Sequence, residues 1–350
     1  MEYHGKYSIF DPRRIKTYPI SERTNKVKYD DLTRSDAVRA TVFDVDPETE
    51  KTISEIAQAV LSARKRGKPV LLFTGAHLIK NGLGALVIDL VRRAMLTLVA
   101  GNGAAAIHDF ELALIGETSE DVPRALEKGR FGMAAEFAIH NAALVLGNRA
   151  MLGYGEALGK TICTAPFRDE VFSLAGMGRQ HPGFLHPENS VLAACYRCGV
   201  PFTVHATIGT DVADQHPSFD GAAKGGTSAR DFLLFVNEVA GMAQGGVVLN
   251  VGSAVTGPEV LLKAVSMAAN TGKAPDGLVT ADFDLRAPQP ADADGFVEGY
   301  YYRDQKSVVN RIPRAFRGTG HYIHGDQRKT IPLLYQKLLN ALEQAAGMEG

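Results

Sequence analysis

Apolar residues along this chain fall into two alternating rhythms. From Pro47 a stripe of Ile53, Ile56, Ala57, Val60 and Leu61 runs toward Gly67, the spacing of an amphipathic helix. The unbroken apolar run Pro69 to Phe73 follows, closed by Thr74-Gly75-Ala76-His77. A helix over Leu83 to Met95 leads to a second run, Leu96 to Ala100, closed by Gly101-Asn102-Gly103. Short apolar runs bounded by glycine read as strands covered on both faces, and two of them joined by a helix make a βαβ unit with a right-handed crossover. Residues 104–170 read mostly as helix, with loop signals around Glu117 to Asp121. Beyond a Gly/Pro/His stretch at 176–187, the helix Glu188 to Cys198 stops at Gly199 and feeds a strand, Val200 to Ala206. The helix Ser228 to Met242 leads into Gly246 to Gly252, and Pro258 suits the first turn of the next helix. Leu278 to Ala281 and Gly320 to His324 read as strand ends, the Pro/Asp-rich segment 286–296 as an exposed loop, and Ile331 to Ala345 as a closing helix.

The pattern predicts an α/β fold: one doubly wound, mostly parallel sheet with helices on both faces over residues 51–350. Residues 1–50 are polar with little periodicity and read as an N-terminal arm, reaching a neighbouring subunit or simply loose. With 45% hydrophobic and 22% charged residues among 350, an ordinary buried core is expected, and 38 Lys+Arg against 39 Asp+Glu give a net charge of −1. That balance offers no electrostatic reason to expect nucleic acid or an anionic membrane as partner. No apolar run approaches the ~20 residues of a membrane span. The charged N-terminus lacks a signal-peptide core, and three cysteines make no disulfide framework. The expected setting is a reducing cytoplasm.

Four constellations could carry chemistry. Gly153 to Thr161 ends like a phosphate-binding P-loop, but Tyr154 stands where that motif needs a glycine and the flanks read as helix. Gly101-Asn102-Gly103 with Ala106 matches G-x-G-x-x-A after a strand, so its backbone could approach a pyrophosphate. Thr74-Gly75 and Asn250-Val251-Gly252 end other strands in the same way, and such turns converging at one sheet edge would make a nucleotide site. Cys195 and Cys198 form a lone CxxC at a helix end, which reads as buried thiols. Thr203 to Asp220 packs His205, Asp211, Asp214, His216 and Asp220 behind an apolar run. His205, Asp211, Asp214 and His216 could hold a divalent metal in a hydrolase, although their spacing matches no ligand signature, and contacts to a substrate amine or a ribose are the stronger reading.

In common order, the motifs resemble those of deoxyhypusine synthase from about Gly67 to Leu342. Gly75 to Gly82 stands where that family has Thr-Ser-Asn-Leu-x-Ser-Ser-Gly, and Ala100 to Ala104 where it has Thr-Thr-Ala-Gly-Gly, with His108-Asp109 near its Glu-Glu-Asp. Ala206 to Asp214 resembles its Ala-Leu-Thr-Asp-Gly-Ser-x-Gly-Asp, keeping Asp214 but replacing the first aspartate by Gly209. Asn250 to Gly252, Val279-Thr280-Ala281, His324-Gly325-Asp326 and Pro332-Leu333-Leu334 resemble its Gly-Gly-Gly, Asn-Thr-Ala, Tyr-Ala-Asp and Pro-Leu-Leu. The resemblance implies a Rossmann-like NAD-binding fold, commonly a homotetramer with active sites between subunits, and a reaction in which NAD oxidises a polyamine whose aminobutyl group passes through a lysine imine. It implies cofactor contacts at Ala76, His77, Gly101, Asn102, Gly103, Gly252, Thr280, Ala281 and Asp326.

The family's imine lysine sits in Ser-Trp-Gly-Lys-Ile, where this chain reads Val308-Val309-Asn310-Arg311-Ile312. A guanidinium stays protonated and forms no Schiff base. The tryptophan is missing as well, since the chain has none, and the family's histidine falls near Thr256. Lys306 would serve only under a shifted alignment. The expectation is therefore an NAD-dependent enzyme of transferase or oxidoreductase type, acting on a polyamine or other small polar substrate without an enzyme imine. Asp214 and His205 would accept a proton or pair with an ammonium, and Arg311 would stand at the lysine position. Glu238 reads as a surface or ion-paired acid, and Asp326 equally as a helix cap. The alternatives are a non-catalytic NAD- or metabolite-binding oligomer and the metal-dependent hydrolase. Asp121 lies at the right sequence distance from Gly101 to read a ribose hydroxyl, but not in a convincing position.

Overall fold

The computed structural model describes residues 3–178, 181–288 and 302–348. Among the described residues eight strands occur in chain order: β1 (Asn25–Lys28), β2 (Val70–Thr74), β3 (Leu98–Asn102), β4 (Glu117–Glu120), β5 (Phe202–His205), β6 (Val247–Val251), β7 (Val279–Asp284) and β8 (Thr319–His324). Six of them form the central sheet in the order β5-β3-β2-β6-β7-β8, and every pairing in it is parallel. Side chains alternate across the sheet. Val70 and Leu72 of β2 pack in the core that includes the helices Pro47–Lys65, Gly84–Arg92, Gly103–Ile115 and Gln327–Met348. Leu71 and Phe73 face the helices Gly221–Ala240 and Thr256–Asn270. The doubly wound α/β sheet expected from the apolar runs is present, and burial on both faces explains why those runs are unbroken rather than alternating.

The differences have local causes. β3 extends to Asn102 because Gly101 pairs with Thr74 on one side and Val204 on the other, so Gly101 belongs to the sheet and not to a turn. The loop signals at Glu117 to Asp121 mark β4, which pairs antiparallel with β1. The helix expected from Ser228 begins at Gly221, capped by the Asp220 carboxylate, which accepts from Ala222 and Ala223 N–H. Its internal Gly226 lets Asn148 approach, since a Cβ there would collide with the Asn148 amide.

The N-terminal segment lies against its own chain. Tyr18 bridges to Ala134, Ile20 is buried with Ile107, Ala134, Phe137 and Ala213, and Val38 joins the main core. Most of the segment 286–296, from residue 289 on, lies outside the described residues.

Candidate functional site

The strand order decides where a ligand can sit. From β2 the chain winds outward through β3 and β5, then returns to the other side of β2 and winds outward through β6, β7 and β8. That is the 3-2-1-4-5-6 order of dinucleotide-binding sheets, with the direction reversing between β2 and β6. At their carboxyl ends the two loops touch. Gly75 N–H donates to Val251 O at 3.0 Å, and a Cβ on Gly75 would collide with the Gly252 carbonyl. Gly252 has φ +61 and donates to Phe283 O at 3.1 Å. These two glycines floor the crevice, because a Cβ at Gly75 would keep the two backbones apart. Ala76 and His77 begin the next helix, Ala76–Lys80. His77 is exposed at its rim, with its imidazole pKa lowered by partial burial, Lys80 and His108 while Asp284 opposes them.

The G-x-G-x-x-A match falls on the second strand of this order rather than the first, and its turn is filled from within. The Asn102 side chain caps the following helix by accepting from Ala105 N–H at 2.9 Å. A Cβ on Gly103 would strike the Asp211 carboxylate, so this glycine makes room for Asp211. The end of the second strand, where NAD-binding sheets carry a ribose-binding acid, therefore holds an asparagine already in use. Asp121 directly follows β4 of the outlying β1/β4 pair instead, where its backbone N–H donates to Thr24 O at 2.9 Å.

Lys224 organises the segment Thr203 to Asp220, and sequence reasoning missed it. Its side chain is 2% exposed, and Nζ donates to Asp211 Oδ2 (2.7 Å), Asp214 Oδ1 (2.6 Å) and Thr207 O (3.2 Å). Those three bonds use all three ammonium donors. Asp214 also accepts from Gly209 N–H at 2.7 Å, so both its oxygens are committed. Burial raises the Asp211 carboxyl, with Lys224 opposing. The four-residue metal reading is corrected: the lysine ammonium stands between the two carboxylates where a cation would go. His216 turns to Ser218 (2.7 Å), and among the described residues no three His, Cys, Asp or Glu side chains converge as a metal needs. His205 ends β5, stacked on Phe73 with ring centroids 5.4 Å apart and contacting Thr203 Oγ1 at 3.1 Å. Burial pushes it down to about 3, so it is a neutral imidazole. It lines a cavity of about 560 Å³ with Lys224, Ser228, Phe232 and Thr256.

The carboxyl end of β7 holds a second polar cluster that the strand pattern did not announce. Asn250 Nδ2 donates to Asp282 Oδ1 at 2.7 Å. Arg286 donates to both Asp284 oxygens, at 3.0 and 2.8 Å, and pairs with Asp304. Burial, then the charge of Asp304, pushes the Asp282 carboxyl well above the usual range. Asn250 Oδ1, Asp282 Oδ2, Asp304 Oδ1 and Gln327 Oε1 are buried without hydrogen-bond partners among the described residues. All four are acceptors or shared-proton sites.

Three expected residues are not at the crevice. Thr280 and Ala281 are buried within β7, three to four residues before its end at Asp284, and Thr280 Oγ1 donates to Val308 O at 2.5 Å. The π-helix Gln305–Arg311 descends along β7 and β8: Gln305 reaches Tyr322, Val308 lies at Thr280, and Val309 crowds Gly320. Arg311, its exposed last residue, is thereby carried toward the amino ends of the strands, opposite the crevice. Asp326 is near the edge but acts as the cap of the last helix, accepting from Arg328 N–H at 2.9 Å and pairing with the Arg328 side chain. Glu238 is half-buried, raised by burial with Thr97 and Arg64 opposing. Gly153 is the extended N-cap of the helix Tyr154–Cys163, and the Asp231 carboxylate accepts from Gly155 N–H at 3.0 Å, which leaves that helix start no room for a phosphate. Cys195 is buried as expected, whereas Cys198 is exposed.

No protein-family model and no curated protein matches the chain. Among solved structures it is similar to AgrE in ternary complex with ornithine and NAD+, at 15% identity and TM-score 0.47 over 87% of this chain and 35% of that one. It is similar to a conserved protein of Methanococcus maripaludis S2 provisionally named LOR/SDH, at 12% identity and TM-score 0.42 over 91% of this chain and 73% of that one. A provisionally named deoxyhypusine synthase from Entamoeba histolytica is similar at 10% identity and TM-score 0.37 over 93% and 97%. The chain spans about a third of the length of AgrE.

Proposed function

We propose that this chain is a deoxyhypusine-synthase-like enzyme that binds NAD across the β2/β6 crevice and oxidises a small amine-bearing substrate without an enzyme imine. The observation that carries the reading is the parallel order β5-β3-β2-β6-β7-β8 with the Gly75 and Gly252 backbones apposed at its reversal point. Gly75, Ala76 and Gly252 would hold the nucleotide, and NAD when bound supplies a hydride acceptor. Among this chain's own groups, His77 is placed to take a proton at the rim. The unpartnered oxygens of Asn250, Asp282, Asp304 and Gln327 near the end of β7 are acceptors, which favours a ligand that brings N–H donors, as an amine does. Neutral His205 forms an apolar-backed wall.

A second reading, a non-catalytic NAD-binding protein on the same scaffold, is favoured by the full engagement of Asp214 with Lys224 and Gly209. The test is titration with NADH followed by its own emission, which no tryptophan of this chain perturbs. Saturable enhancement is expected, and its absence removes the nucleotide reading. NAD+ reduction with a panel of small amines then separates the two readings. His77→Gln should abolish turnover while NADH still binds.

A further inference from the structure

Arg23 lies between the turn Ile20–Glu22 and β1, and its side chain is 1% exposed. Nη1 donates to Glu111 Oε1 at 2.6 Å. Glu111 is itself held: the Thr118 hydroxyl donates to its Oε2, so the 2.7 Å bond between Thr118 Oγ1 and His108 Nδ1 is donated by the imidazole. Burial pushes Glu111 up, but Arg23 and His108 outweigh it and bring the carboxyl down to about 2. With Nη1 fixed by a permanent anion, Nε and Nη2 are both buried and have no hydrogen-bond partner among the described residues. Those two N–H groups form the side edge of the guanidinium, whose parallel donors match the two oxygens of a carboxylate. A native interior seldom leaves such an edge unpaired, because a charged donor stripped of water is costly.

The surroundings fit an anion of small size. Arg23 lines a cavity of about 220 Å³ with Lys80, Ala104, His108, Ser119 and Thr210. Its three acids are already engaged: Glu111 by Arg23 and Thr118, Glu120 by the Tyr18 hydroxyl (2.8 Å) and Gly132 N–H (3.0 Å), and Asp211 by Lys224. The unpaired donors of the lining are those of the Arg23 guanidinium. We infer that this cavity is a carboxylate-binding site in which Arg23 Nε and Nη2 grip both oxygens of a compact carboxylic acid. Lys80 belongs to the same short helix as His77, which puts the cavity beside the crevice. Assigning the carboxylate to the substrate rests on the proposed NAD reading, whereas the site itself does not.

The experiment is calorimetric titration of the full chain with acetate, glycine and inorganic phosphate at constant ionic strength, with NADH titrated in parallel. It is repeated on Arg23→Lys, which keeps a charge for Glu111 but has no planar fork, and on Thr210→Trp, which fills the cavity from an exposed position. Acetate or glycine should bind saturably, phosphate about ten-fold more weakly, and either variant should weaken the carboxylate by at least about ten-fold while NADH affinity is unchanged. Phosphate binding tighter than carboxylate, no saturable carboxylate binding, or carboxylate affinity indifferent to both variants would each overturn the site. Carboxylate binding without NADH binding supports the site and removes only the nucleotide reading.

Discussion

Lys224→Met is the perturbation whose size follows most directly from the structure. The ammonium is buried between Asp211 and Asp214, whose side chains are 6% and 7% exposed. At an effective dielectric of ~20, each contact of 2.6–2.7 Å has a gross attraction of about 6 kcal/mol, offset by several kcal/mol of desolvation per ion. Removing the cation alone leaves two buried carboxylates facing each other, for which breaking a buried pair typically costs ~3–5 kcal/mol. With ~2.1 cal/mol/K of unfolding entropy per residue over 350 residues, that lowers the thermal midpoint by about 5 °C. Urea unfolding followed by circular dichroism measures the loss. The triple variant with Asp211→Asn and Asp214→Asn should recover at least half of it, because neutral amides need no counter-ion. A loss below ~1 kcal/mol for Lys224→Met, or no recovery in the triple variant, refutes a buried clamp and makes the lysine a solvated one.

Gly103→Ala should cost about 1–3 kcal/mol, because its Cβ would push the Asp211 carboxylate off Lys224; a neutral result in thermal unfolding counts against that packing. His205, held at about 3 by burial, takes up a proton only on unfolding between pH ~6.5 and 3, so its contribution is present above pH ~6.5 and falls as pH drops. The stability gap between the wild type and His205→Phe should thus shift by about 2 kcal/mol from pH 7 to 5 in favour of the variant, and a pH-independent gap in urea midpoints excludes a buried neutral imidazole. Asp231→Ala leaves Gly155 and Val204 N–H, now bonded at 3.0 and 2.7 Å, without acceptors in the interior. It should cost ~2–4 kcal/mol, more than Asp231→Asn, and equal losses for the two substitutions would show that the accepted bonds contribute nothing.

The apolar runs at Pro69 to Phe73, Gly246 to Gly252 and Leu278 to Ala281 were enough to declare a doubly covered parallel sheet, because burial on both faces leaves a strand no polar side to show. The same runs could not order the strands. Only the folded chain places β6 beside β2, and that one adjacency puts the crevice at the reversal point on the plainer Gly75 and Gly252 loops rather than on the glycine-rich Gly101 turn. Sequence pattern also marked Thr203 to Asp220 as polar and dense in acids, but whether two carboxylates bind a metal or an amine depends on what sits 2.7 Å away. Lys224, ten residues past Asp214 on a helix among alanines and glycines, carries no signal of that closeness in its neighbours along the chain.

Register was a further limit. A motif aligned by residue type put Thr280 and Arg311 at the ligand edge, whereas the strand continues to Asp284 and the π-helix runs the opposite way. Arg23 makes the same point from the polar N-terminal segment: local patterning showed little reason for order there, and its burial comes from Glu111, 88 residues away. Periodicity reports which side of an element avoids water, so the sequence alone determined the layers and their class. Which polar groups meet inside is set by contacts between distant segments, and those only the tertiary structure decided.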